Sequence, residues 1–381
     1  MKKLLSVLIA ILFSVFTACT NSQTRGGADG GDTVRMENAR HLTIVKYKGY
    51  TIVKLVDPWK KGRTLHTYAL VPKGRTRLPE GLDPSTTIIR TPIKRSVVFT
   101  TVLCGLLYDL QAADAISGVC DLNYINIPDI QKRATMKPTE ARHVADCGNS
   151  MSADVEKIID MKPEGLLISP FENSGGYGKL EDIHIPIIET ADYMEVSALG
   201  RAEWMKFYGM LYGREHEAFA LFNRVKCNYQ QLMKKARTAK KSLSVITEQK
   251  TGGVWYVPGG QSTIGQMLKD ARAHYAFADD HQAGSLSLPF ETVLDRAGQS
   301  DVWLFKYNGH PATLQELAAE YSGYRQFKAF RTRNVYACDC TRRPYFEQVS
   351  FHPDRLLSDI IQIVHPDIAG FAPMQYYERL K

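Results

Sequence analysis

No Gly-x-Ser-x-Gly elbow, His-Glu-x-x-His pair, Walker phosphate loop or Gly-x-Gly-x-x-Gly fingerprint occurs in the 381 residues. A catalytic reading therefore has no motif to rest on. Cysteine is scarce, seven in all, and follows no regular framework, which excludes a disulfide-stapled scaffold. Cys338-Asp339-Cys340 lies on an expected strand, where alternation puts both thiols on one face. No second Cys or His pair accompanies it at zinc spacing, so these two, with Cys104, Cys120, Cys147 and Cys227, read as buried free thiols. Ten histidines are scattered; His274 and His281, the one close pair in the second half, read as surface or loop residues. The excess of positive charge is small, 48 Lys and Arg against 40 Asp and Glu. It forms no basic run interleaved with aromatics, so no nucleic-acid partner is expected. What is present, 44% apolar and 23% charged residues, is the composition of a folded protein long enough for two domains.

Only one apolar run is long. Residues 4–18 carry no charge and follow Met1-Lys2-Lys3. The run is shorter than the about 20 residues of a bilayer span and matches a secretory signal, so residues 1–18 are expected to be a signal peptide. Ala18-Cys19 resembles the bacterial lipobox, with Phe16 where Leu is usual; Cys19 would then be lipidated, and ordinary cleavage nearby is the alternative. Residues 20–32, rich in Ser, Thr, Gly and Asp, read as a flexible tether within a segment 19–40. These features place the body outside the cytoplasm, on the periplasmic side of a membrane, as a lipoprotein.

Short β-branched runs alternate with helical patterns. Strands are expected at 97–100, 116–120, 166–169 and 185–189, with helices at 104–110 and 154–161. A second series follows, with strands at 243–247, 302–305 and 334–337 and helices at 263–269, 290–295, 314–319 and 355–364. Between them residues 214–237 carry Ala218, Leu221, Phe222, Val225, Tyr229, Leu232, Met233 and Ala236 at helical spacing. The expected fold is α/β: two related three-layer lobes with parallel sheets, at 93–198 and 241–381, joined by helices at 199–240, of which one is long and rigid. Residues 41–92 read as a small β-hairpin addition centred on 49–72.

Aromatic and small polar residues gather in glycine-rich loops after the expected strands, where open α/β sheets bind ligands. These loops nominate Tyr124, Phe171, Glu172, Tyr177, Lys250, Trp255, Tyr256, Lys306 and Tyr307. Rings cover a large flat ligand well, and a lysine can meet its carboxylates or ring oxygens.

Three further stretches stand in order: Asp154-Val155-Glu156-Lys157-Ile158-Ile159-Asp160-Met161-Lys162-Pro163, Gly260-Gln261-Ser262-Thr263-Ile264-Gly265-Gln266-Met267-Leu268, and His352-Pro353-Asp354-Arg355-Leu356-Leu357-Ser358-Asp359-Ile360 with His365-Pro366. With the lipobox, the two lobes and the single connector, they resemble the helical-backbone class of ABC-transporter substrate-binding proteins, which serves iron–siderophore complexes, haem and vitamin B12. The segment 49–72 and the Gly175-Gly176 loop depart from that pattern. The resemblance implies a monomeric receptor without cofactor, catalytic residue or resident metal. It would capture an iron–siderophore or haem and pass it to an ABC permease with its ATPase; cobalamin is the alternative cargo. It also implies one permease-docking acid per lobe, which residue by residue falls on Glu156 and Glu291. The rival classes are a lipoprotein chelatase or hydrolase using a carboxylate pair, and a purely structural surface lipoprotein.

Overall fold

The computed structural model describes residues 30–172 and 176–381. The expected signal peptide, Cys19 and the first part of the tether lie outside the described residues, as do residues 173–175.

Strands Ser96–Val98, Ile116–Val119, Ala145–Asp146, Gly165–Ile168 and Ile187–Glu189 form one parallel sheet. Val97, Val98, Leu166 and Leu167 are all buried, as parallel strands covered on both faces require. In spatial order the sheet runs Ile187–Glu189, Gly165–Ile168, Ser96–Val98, Ile116–Val119, Ala145–Asp146. The order of succession therefore reverses between the parallel strands Ser96–Val98 and Gly165–Ile168, each of which sends its successor to the opposite side.

The second lobe repeats the device with a different order: His274–Tyr275, Ser244–Thr247, Val302–Tyr307, Val335–Asp339 and Glu378–Arg379. Its first four strands are parallel and the last is antiparallel. The reversal falls between Ser244–Thr247 and Val302–Tyr307. An antiparallel three-stranded sheet, Lys250–Thr251, Val254–Pro258 and Ser285–Leu288, sits beside it. The stretch read as a glycine-rich loop is thus a hairpin, turned at Gly252 with φ +60°.

The connector is the helix Glu215–Ala236. At 1.5 Å per residue it spans roughly 33 Å, and the expected stripe is its buried face, with Leu232 and Met233 only partly covered. Two shorter helices precede it, Ala198–Glu203 and Met205–Leu211, broken at Trp204. The two sheets stay separate, but one apolar network runs from the N-terminal sheet through the connector into the second lobe; a smaller one covers the other face of the first-lobe sheet.

Two expectations at the N-terminus need correction. The hairpin is a five-stranded sheet, Asp32–Val34, Leu42–Tyr47, Tyr50–Val56, Thr64–Pro72 and Thr87–Thr91, antiparallel except for its last pair. The end of the tether belongs to it: Val34 pairs with Ile44. Residues 37–41 are then held by distant carboxylates. Glu203 accepts the amides of Glu37, Asn38 and Ala39 at 2.7–3.0 Å, and Glu195 those of Arg40 and His41 at 2.9 Å. A polar stretch without periodicity is ordered here because its orphan donors find buried acceptors. A third correction concerns Cys227, which is exposed on the connector, whereas the other five described cysteines are buried and unpaired.

Candidate functional site

Both sheets open concavities at the carboxyl ends of the strands that flank their reversal points, the place where such sheets bind ligands. In the first lobe, Phe99 and Thr100 follow one flanking strand and Ser169, Pro170 and Phe171 follow the other; together they line a cavity of about 780 Å³. Met151, Tyr177 and Tyr193 complete its wall. Phe171 and Met151 stay 48% and 75% exposed, which is unusual for large apolar side chains clustered at one spot. Lys179 is the only charged residue of the lining, and no ion pair joins it to another described residue.

The tyrosines of this cavity keep their protons. Tyr177 Oη donates to Glu189 at 2.7 Å and Tyr193 Oη to the Pro170 carbonyl at 2.5 Å. Burial raises the pKa of both, and the neighbouring Glu189 carboxylate adds to the effect at Tyr177. Both line the cavity while donating their hydroxyl protons to protein acceptors.

The second-lobe cavity, about 520 Å³, is lined by Glu248, Tyr256, Lys306, Tyr307, Asn308 and Phe346 among others. Lys306 is ion-paired with Glu248. A smaller concavity of about 230 Å³ shares Thr263, Ile264, Lys306 and Phe346 with it and extends to Val102 of the first lobe and Arg201 of the helix Ala198–Glu203. The site thus continues from the second lobe to the junction of the lobes. Arg201 is itself neutralised by buried Asp192 at 3.0 Å.

Of the nominated residues, the structure brings Phe171 and Tyr177 into the first cavity and Tyr256, Lys306 and Tyr307 into the second. Four are placed otherwise. Trp255 is wholly buried; its indole donates to the Thr247 carbonyl at 2.9 Å and packs on Trp303 and Phe327. Strand alternation makes the choice, since Tyr256 points out wherever Trp255 points in. Lys250 turns away, its ammonium on the Gly252 carbonyl and 4.8 Å above the Tyr321 ring. Tyr124 is exposed outside both cavities, and Glu172 is exposed beside Phe171 without lining the cavity. Sequence reasoning passed over Phe99, Met151, Tyr193, Asn308 and Phe346. Phe346 was findable, since it follows the strand Val335–Asp339; Met151 carries no local signal.

Among the described residues no group of three or more His, Cys, Asp or Glu side chains is arranged to hold a metal ion. No described helix is long and apolar enough to cross a membrane. Glu156 and Glu291 each sit exposed in the first turn of a helix, Val155–Met161 and Phe290–Ala297. Asp154 caps the first by accepting the Lys157 amide at 3.0 Å, and its neighbour Val155 lines the first cavity.

Two parallel-sheet lobes, each with a cavity at its reversal point, are the architecture of a solute-binding protein. Residues 97–340 match the periplasmic binding protein family, and the chain belongs to it. It is accordingly a transport component and not an enzyme. An uncharacterized lipoprotein of Methanocaldococcus jannaschii is 23% identical over 404 aligned positions, covering 99% of each chain. A periplasmic heme binding protein from Pseudomonas aeruginosa shares the fold with a TM-score of 0.59 and 14% identity, over 76% of this chain and 98% of that one. The Fe3+–Desferal-bound siderophore binding protein FhuD of Vibrio cholerae does so at 0.51 and 15%, over 71% and 99%. The family match begins at Val97, so the N-terminal sheet lies ahead of it.

Proposed function

We propose that this chain is the lipid-anchored receptor of an ABC importer, which takes a metal chelate between its lobes and delivers it to a permease driven by a separate ATPase. The observation that carries this reading is the pair of cavities at the two reversal points, with Phe171 and Met151 bare in one and Tyr256 and Phe346 in the other. Large apolar side chains left in water at two cavities are what a large ring-shaped or globular chelate would cover. An iron–siderophore complex or haem is the first reading of the cargo. Cobalamin is the second, and a specific observation favours it: Lys306 and Arg201 already have Glu248 and Asp192 as counter-ions, which leaves Lys179 of the first cavity as the one unpaired cation among the described lining residues for an anionic chelate. Glu156 and Glu291, exposed and in no ion pair with described residues, are proposed to meet arginines of the permease. Cys19 would hold the protein at the membrane, outside the cytoplasm.

Titration of the full chain with haemin, ferrioxamine B and cyanocobalamin, followed by tryptophan fluorescence, tests the reading. Saturable quenching by one of them at micromolar concentration is expected. Binding of none would overturn it.

A further inference from the structure

The N-terminal sheet, which precedes the family match, reaches the wall of the first cavity. Its strand Thr64–Pro72 carries His66 and Tyr68, whose rings stack with centroids 4.4 Å apart and planes 10° from parallel. Tyr68 is fully buried, and its hydroxyl accepts the Glu189 amide at 2.8 Å. His66 Nε2 lies 2.7 Å from Thr87 Oγ1 on the neighbouring strand, and His66 Nδ1 lies 3.4 Å from Glu189 Oε2. Glu189 is 7% exposed. Its Oε1 accepts the Tyr177 hydroxyl, while its Oε2 has no hydrogen-bond partner among the described residues. Tyr177 in turn lines the cavity. A buried carboxylate oxygen without a donor is unfavourable, and His66 Nδ1 of the added sheet stands 3.4 Å from it.

We infer that His66 is a positioning residue for the cargo cavity: with its proton on Nδ1 it holds Glu189, and through Glu189 it aims Tyr177. The Thr87 hydroxyl can select that tautomer by donating to Nε2, leaving Nδ1 as the only ring donor. The added sheet is then part of the binding site. Tyr177 is thereby positioned from a strand over a hundred positions earlier in the chain. This inference rests on the reading that the cavity takes cargo, but its test does not need cargo.

The measurement is hydrogen–deuterium exchange of the full chain over residues 177–183, which follow directly from the Tyr177 contact. His66→Phe keeps the stacking and removes the donor; exchange there should rise by about two- to tenfold, as the loss of one buried polar contact implies. His66→Asn, which offers an amide nitrogen near the Nδ1 position, should restore the native rate. In a Tyr177→Phe background, His66→Phe should add nothing. Unchanged exchange in His66→Phe, failure of Asn to rescue, or an equal increment without the Tyr177 hydroxyl would each overturn the inference. Should His66→Phe also loosen the strand Leu42–Tyr47, Thr87→Val serves as the second variant, with a smaller rise over 177–183 expected and none overturning it. If a chelate binds, its affinity should follow the same pattern. If none binds, the receptor reading fails while the exchange result stands.

Discussion

Thr101 of the first lobe donates a 2.8 Å hydrogen bond to Glu347 of the second. The same carboxylate oxygen accepts the Asn126 amide at 2.8 Å, and His352 meets Asp109 across the junction at 2.7 Å. These ties seat the helix Tyr345–Gln348 against Thr101–Asp109, at a point where Gly105 has no room for a side chain beside the Glu347 carbonyl. Lobes fastened there and along a helical connector have little freedom for hinge closure. Scattering profiles of the free and chelate-loaded protein should be nearly superimposable, and a marked contraction would refute this. Gly105→Ala should lower stability by about 1–3 kcal/mol, as overpacking a tight contact does, and urea unfolding would measure it.

Adjacent aromatic residues of the second lobe should behave oppositely. Tyr256→Ala removes a ring that is 47% exposed, so the melting temperature should hardly change while chelate affinity falls by about 1–2 kcal/mol, roughly five- to thirtyfold. Phe171→Ala should do the same from the first lobe. Trp255→Ala empties a buried site among Trp303, Phe327, Tyr324 and Phe290; it should cost about 3–5 kcal/mol of stability. Calorimetry and fluorescence titration on the same samples separate the two effects.

Charge supplies a third expectation. Because Lys306 and Arg201 are paired within the protein and only Lys179 of the described cavity linings is not, chelate affinity should change by less than about threefold when salt rises from 0.15 M to 1 M and the Debye length drops from about 8 to about 3 Å. A steep loss would mean that cargo is held by its charge. The cobalamin reading would then yield to an anionic iron chelate.

Reversing the charge at Glu156 and Glu291 addresses docking. Glu156→Lys with Glu291→Lys should leave chelate affinity intact, since neither side chain lines a cavity, yet abolish uptake in cells that depend on this importer. Normal uptake by the double variant would remove the docking roles.

Much of the fold was legible because its signals are local. The run Leu166-Leu167-Ile168 is buried throughout and reads as a covered parallel strand. The stripe from Ala218 to Ala236 closes on one helix face. The site was legible only to the level of loops. Nothing near Lys250 indicates that its ammonium bends back onto Gly252 and Tyr321. Met151 is an ordinary core-type residue by sequence, and only its place in the turn between the paired strands Gly148–Asn149 and Ser152–Ala153 leaves it bare in the cavity.

Taken alone, the chain's order of residues determined two α/β lobes, a long connecting helix and the loops from which a site would be built, since hydrophobic period and turn chemistry act over a few neighbours. Tertiary structure decided the rest: that residues 37–41 are anchored by Glu195 and Glu203, that Tyr256 rather than Trp255 faces the site, and that His66 stands behind Tyr177. These outcomes depend on acceptors and ring faces supplied by segments far away in the chain. Such pairings leave no periodic trace in either partner, and only the packed molecule brings them together.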